Sequence, residues 1–190
     1  MKKFKIDKPR EECGVFGISD HEDSSALVAL GLHALQHRGQ EGCGICSFDG
    51  KKFHLEKRQG LVGDHFTDQE VIRKLPGKFA IGHNRYSTTG EVSLRNIQPF
   101  FADLYTGGVS LAHNGNLTNA IELRNNLVKD GAIFRTTSDT ETIVQLIAKS
   151  NRNKMTDKII DALFQIQGAY ALVMMTNKKL IGIRDPFGIR

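Results

Sequence analysis

The stretch Glu11-Glu12-Cys13-Gly14-Val15-Phe16-Gly17-Ile18 decides the reading of this chain. Two acids precede a cysteine that opens an apolar run punctuated by glycines, the pattern of a buried strand whose backbone other groups approach closely. Taken alone, Cys13 reads two ways: a small packed residue at a strand start, or a nucleophile awaiting removal of the twelve residues before it. The second reading has a chemical basis. A cut between Glu12 and Cys13 would place a free α-amine, titrating near about 7.7, on the residue that carries a thiol of about 8.5. Such an amine serves as its own general base, with no histidine partner.

The segment Met1–Glu12 carries five basic and three acidic residues and no apolar face, so it reads as detachable. It also lacks the apolar centre of an export signal. The whole chain has 190 residues, 39% hydrophobic, enough for one domain with a substantial core. Its net charge of +5 includes no basic run interleaved with aromatics, which argues against nucleic-acid binding. No stretch approaches the roughly 20 apolar residues of a membrane span. Three cysteines argue against a disulfide framework and fit a reducing cytoplasm.

Outward from Cys13, local signals alternate between strand and helix. Strands are expected at Cys13–Ile18, Phe79–His83 and Val109–His113. Hairpins are expected from Gly44–Phe48 and Phe53–Lys57 across Asp49-Gly50, and from Ala169–Met175 and Leu180–Arg184 across Asn177-Lys178. One helix is capped by Asp23, Ser24 or Ser25 and ends near Gly39; a short one covers Gln69–Lys74. Three more are expected at Leu117–Lys129, Asp139–Lys149 and Thr156–Gln167, the last with Ile159, Ile160, Leu163 and Phe164 on its apolar face. Strands at both ends with helices between predict an α+β layered sandwich. The final residues, Arg184–Arg190, read as a turn leading into another apolar segment, so a longer polypeptide is expected.

Four further stretches bear polar chemistry. Cys43-Gly44-Ile45-Cys46 is a CxxC, yet no second cysteine pair completes a zinc site, and strand positions three apart face opposite sides; packing is the stronger reading. Gly82–Gly90 (GHNRYSTTG) is a polar loop at a strand end, where Arg85 and Thr88 can hold a carboxylate or simply build a surface turn. At His113-Asn114-Gly115-Asn116, an amide side chain beside a glycine N–H suits a developing oxyanion; it also suits a turn. Ser138-Asp139-Thr140-Glu141 has the spacing of a capping box, and Asp139 there either serves the helix dipole or meets a substrate ammonium.

Taken together these stretches match a family. EECGVFGI, LQHRGQEG at Leu35–Gly42, GHNRYSTTG, LAHNGNLTN at Leu111–Asn119, TSDTE at Thr137–Glu141 and RDPFGIR at Arg184–Arg190 resemble the glutaminase domain of class II, N-terminal-nucleophile, glutamine amidotransferases. LQHRGQEG and RDPFGIR resemble the amidophosphoribosyltransferase branch in particular. The resemblance implies a four-layer αββα sandwich, a propeptide of residues 1–12, and a glutaminase domain of residues 13–190. It also implies attack of the Cys13 thiol on the glutamine side-chain amide through a γ-glutamyl thioester. Asn114 and Gly115 would face the oxyanion, Arg85 and Thr88 the α-carboxylate, and Asp139 the α-ammonium; Arg38 matches a family arginine near the nucleophile.

No cofactor is implied for this domain. Mg2+ and, in some members, an iron–sulfur cluster belong to the phosphoribosyltransferase half, whose phosphoribosyl-diphosphate loop does not occur in these residues. That half, glutamine and further copies of the intact enzyme are the partners implied. Cys43 and Cys46 depart from the alanine and aliphatic residue common in the family. Two alternatives stand beside this reading: a glutaminase domain serving an amino-sugar or glutamate synthase, and a non-catalytic binding domain with an unprocessed Cys13.

Overall fold

A computed structural model describes residues 12–86 and 93–190. Two four-stranded antiparallel sheets stack between two helical layers. The first sheet has the order β1 (Gly14–Ile18), β4 (Phe79–Arg85), β2 (Gly42–Phe48), β3 (Phe53–Gln59); the second runs β5 (Phe100–Leu104), β6 (Gly107–Leu117), β7 (Gly168–Thr176), β8 (Leu180–Arg184). Helices α1 (Ser24–Ala34), α2 (Val62–His65) and α3 (Gln69–Arg73) belong with the first sheet. Helices α4 (Ala120–Lys129), α5 (Asp139–Lys149) and α6 (Met155–Leu163) cover the second. This is the expected αββα sandwich.

Period-two alternation sorts side chains into three cores. In β2, Cys43 and Ile45 pack with Val28 and Leu32 of α1, whereas Cys46 and Phe48 pack between the sheets with Ile81, Ala112 and Met175. The CxxC cysteines therefore face opposite sides of one strand. Both are fully buried, and burial pushes each thiol up to about 12, as inert packing groups require. The third core lies under α4–α6, around Leu111, Ile143, Ile147 and Leu172.

Several boundaries differ from expectation, each for a local reason. The residues Leu117 to Asn119 do not open α4, because β6 runs on to Leu117 and pairs through Gly168. Helix α6 spans Met155–Leu163 and stops short of Gln167. Its buried side carries Ile159 and Ala162, with Leu163 packed against the core, while Ile160 and Phe164 point outward at 48% and 86% exposure. Strand β5 and the single turn α2 carried no usable period in the sequence. Ser24 and Ser25 do not cap α1; their hydroxyls donate to the carbonyls of Gly77 and Leu75, tying α1 to the turn after α3. At α5 the Ser138 hydroxyl does accept from the Thr140 N–H, at 3.3 Å. Glu141 does not reach back to complete a capping box; its carboxylate takes the N–H groups of Arg135 and Thr136 and the Thr136 hydroxyl.

Candidate active site

The start of β1, the end of β4, the far half of β6 and the N-terminus of α5 converge at one end of the sandwich. They enclose a cavity of about 280 Å³ whose lining includes Glu12, Cys13, Arg85, Tyr86, Gly115 and Asp139. Residues more than 120 positions apart in sequence meet there, because β1 pairs with β4 and β6 carries the second sheet alongside.

Cys13 is held by both of its backbone polar groups. Its N–H donates to the Arg38 carbonyl at 2.7 Å, and its carbonyl accepts from Arg38 Nε at 2.8 Å. Arg38 thus clamps the backbone of the nucleophile candidate from both sides. Its position follows from a single 3-10 turn, Gln36–Arg38, which succeeds α1. Cys13 has φ of 63°, a left-handed conformation that costs a non-glycine residue about 1–2 kcal/mol. The thiol accepts from the Tyr86 N–H at 3.5 Å. Burial pushes its pKa up; the Tyr86 backbone and Arg85 pull the other way, and Glu12 adds to the rise.

Opposite the thiol stand one cation and one anion. Arg85, the last residue of β4, brings a buried guanidinium nitrogen, Nη1, that has no hydrogen-bond partner among the described residues. Such an orphan is costly unless something fills it. Asp139, the first residue of α5, accepts from the Leu117 N–H at 3.0 Å through Oδ2. Burial works against its ionisation, yet His113, the Leu117 N–H and the Thr140 N–H outweigh it and hold the carboxyl below its usual range. Cys13, Arg85 and the charged Asp139 therefore line one space, with one guanidinium nitrogen of Arg85 buried and unpartnered among the described residues.

Gly115 lines this same cavity, with φ of 150°. A Cβ there would lie 2.2 Å from the Ala169 carbonyl oxygen, so no side chain fits. Asn114 does not line it. One residue earlier on β6, it points to the other face and borders a neighbouring cavity of about 260 Å³ with Gly14, Arg38 and Arg190. Its Oδ1 is buried without a partner among the described residues. Consecutive residues Cys13 and Gly14 line the two spaces, so they meet at the peptide unit of the candidate nucleophile. Thr88 and residues 1–11 lie outside the described residues.

The sequence did not point to His83, Gln98 or Arg190. His83 and His113 are buried strand residues, each followed by asparagine, and their polarity in an apolar alternation was the available signal. Burial drives His83 down to about 3, so it is neutral, donating from Nε2 to the His113 carbonyl at 3.1 Å. Arg190 is placed by Asp185, whose buried carboxylate accepts the N–H groups of Phe187, Ile189 and Arg190.

Comparison with known proteins bears on this geometry. Curated relatives include an amidophosphoribosyltransferase of Rhizobium etli, 56% identical over 184 residues, covering 97% of this chain and 37% of the relative. The amidophosphoribosyltransferase of Bacillus subtilis is 46% identical, over 95% of this chain and 38% of the relative. The chain thus spans little more than a third of these relatives. Among solved structures, the Bacillus subtilis glutamine phosphoribosylpyrophosphate amidotransferase, complexed with ADP and GMP, superposes with a TM-score of 0.86 at 44% identity, over 93% of this chain and 38% of that one. An allosteric regulatory enzyme of purine biosynthesis superposes at 0.88 and 45% identity, over the same 93% and 38%. The profile of the glutamine amidotransferase domain matches residues 83–190, a span that includes Arg85, Asn114, Gly115 and Asp139. With more than half of its length inside that profile, this chain belongs to the glutamine amidotransferase domain family.

Proposed function

We propose that these residues are the glutaminase part of an amidophosphoribosyltransferase, in which glutamine is hydrolysed and its ammonia passed on to phosphoribosyl diphosphate. The observation that carries this reading is the complementarity of one cavity to one substrate. Glutamine offers a carboxylate, an ammonium and an amide; the cavity offers the orphaned Arg85 guanidinium, the ionised Asp139 and the Cys13 thiol. The acceptor half of the reaction rests on the relatives' names and on the length they have beyond this chain.

The chemistry runs as follows. Removal of Met1–Glu12 converts the Cys13 amide nitrogen, now bonded to the Arg38 carbonyl, into a free amine. That amine takes the thiol proton, offsetting the burial that disfavours the thiolate. Sulfur attacks the glutamine side-chain carbonyl, and the oxyanion forms against the Gly115 N–H; Asn114, which borders the neighbouring cavity, joins it only by turning its amide toward the Cys13 peptide. The C–N bond breaks as the nitrogen recovers the proton from the Cys13 ammonium, and ammonia leaves. Water, deprotonated by the same amine, then adds to the thioester and releases glutamate with the thiol restored. While the leader is attached the nitrogen is an amide and cannot act as a base.

A glutamine-analogue electrophile tests the reading directly. In the intact gene product, the active protein should have lost residues 1–12 by intact mass and should take one label at Cys13. Cys13→Ser should keep its fold and lose glutamine hydrolysis. Full activity with the leader attached, or hydrolysis surviving Cys13→Ser, would refute the mechanism.

A further inference from the structure

The cavity rests on a buried polar cluster that the reaction above leaves without a role. Gln98, His113 and Thr140 are 7%, 2% and 0% exposed. Gln98 Oε1 accepts from the His113 N–H at 2.7 Å, which fixes the orientation of its amide. Its Nε2 then donates to Thr140 Oγ1 at 3.1 Å. His113 Nδ1 lies 3.0 Å from the same hydroxyl oxygen and 3.6 Å from Asp139 Oδ1. The Thr140 hydroxyl in turn lies 3.4 Å from Asp139 Oδ1.

With His113 as its Nδ1–H tautomer the donors and acceptors around the Thr140 hydroxyl all pair, while His113 Nε2 stays buried without a partner among the described residues. An ionised carboxylate only accepts, and the hydroxyl has one proton and two lone pairs. Gln98 Nε2 and His113 Nδ1–H fill the lone pairs, so the Thr140 proton goes to Asp139. Two donors into the hydroxyl oxygen also polarise that proton toward the carboxylate. With the Leu117 N–H on Oδ2, both oxygens of Asp139 are held from behind.

We propose that Thr140, set by Gln98 and His113, is a positioning residue that makes Asp139 selective for an α-ammonium. This rests on the reading of Asp139 given above and deepens it. A carboxylate with one oxygen released would turn in its pocket and lose the alignment that distinguishes an amino acid from its des-amino analogue. Threonine suits the task because its branched Cβ restricts χ1 and keeps the hydroxyl on the three partners.

The test compares kcat/KM for glutamine and for 4-carbamoylbutanoate, which lacks only the α-amino group, by ammonia release from the intact gene product. Thr140→Val should cut the preference for glutamine about tenfold to a hundredfold, the range of a hydrogen bond to a charged group. The loss should fall mainly on KM, with 4-carbamoylbutanoate affected less than about threefold on the same scale. Thr140→Ser, which returns the hydroxyl, should restore the preference. An unchanged preference in Thr140→Val, an equal fall for both substrates, or failure of Thr140→Ser to restore it would overturn the proposal. Should Thr140→Val fail to fold, Thr140→Ala decides by the same ratio. If the unaltered protein does not prefer glutamine, the reading of Asp139 itself fails and this proposal falls with it.

Discussion

Replacing Gly115 by alanine tests how the site is built, because one methyl group meets three obstacles at once. Its Cβ would stand 2.2 Å from the Ala169 carbonyl oxygen, 2.7 Å from Tyr170 Cα and 2.9 Å from His113 Nε2. Two of these are backbone atoms of β7, paired with β6 in register Gly115 to Tyr170, so neither can swing aside. The φ of 150° adds a backbone penalty. Strained backbone costs about 1–3 kcal/mol, and overpacking a further 1–3 kcal/mol. Together that is about 2–6 kcal/mol, a large share of the 5–15 kcal/mol that holds an ordinary domain folded. With a urea slope of about 2 kcal/mol per molar, the unfolding midpoint should fall by about 1–3 M.

Gly182 supplies the control. It sits in β8 with nothing within 4 Å of an added Cβ. Alanine there should leave the midpoint unchanged or raise it slightly, since a strand-interior glycine is the less stable choice by about 0.5–1 kcal/mol. Urea unfolding of both variants under identical conditions is the assay. A Gly115→Ala midpoint within about 0.3 M of the parent, a change of under roughly 0.6 kcal/mol at that slope, would refute the steric reasoning. An equal loss in Gly182→Ala would show that the effect is not specific to the site.

Three other outcomes are expected. His83 titrates near 3 when folded against an ordinary 6.5, so the unfolded chain binds its proton first as pH falls. Its stabilisation is complete above about pH 6.5 and should be down by about 2 kcal/mol at pH 5; His83→Gln should flatten that slope in urea titrations at pH 7 and 5, and an unaltered slope would count against a buried neutral imidazole. Arg38→Ala removes the Nε donor from the Cys13 carbonyl and should slow labelling by the glutamine-analogue electrophile about tenfold or more, whereas an unchanged rate would show that the clamp is dispensable. Asp185→Ala strips the acceptor from three backbone N–H groups, so limited proteolysis should appear within residues 186–190, and continued resistance there would place the order of that turn elsewhere.

Much of this protein was legible before any coordinates. The strand that follows Cys13, both hairpins, α5 and an α+β layered sandwich follow from short-range causes such as period-two apolar runs, turn chemistry and a serine cap, while the four-layer αββα order came from the family resemblance. Cys13, Arg85, Gly115 and Asp139, which line one cavity, stood out in the sequence because each sits in a short motif at or near the end of a regular element. Where prediction failed, the deciding interaction was distant in sequence. Leu117 reads as helix locally, but pairing with Gly168 across some fifty residues keeps it in β6. The apolar pattern put Phe164 in the core, yet α6 ends one residue before it and leaves it in solvent.

The same distinction divides the site. Sequence by itself determined which functional groups exist and on which elements they ride. Only the tertiary structure decided what each one faces. It turned Arg38 onto the Cys13 backbone, sent Asn114 to a second cavity, and assembled Gln98, His113 and Thr140 behind Asp139. The physical reason is that hydrogen bonds among buried groups are satisfied wherever the packed layers bring donors and acceptors together. No local period in the chain records those meetings.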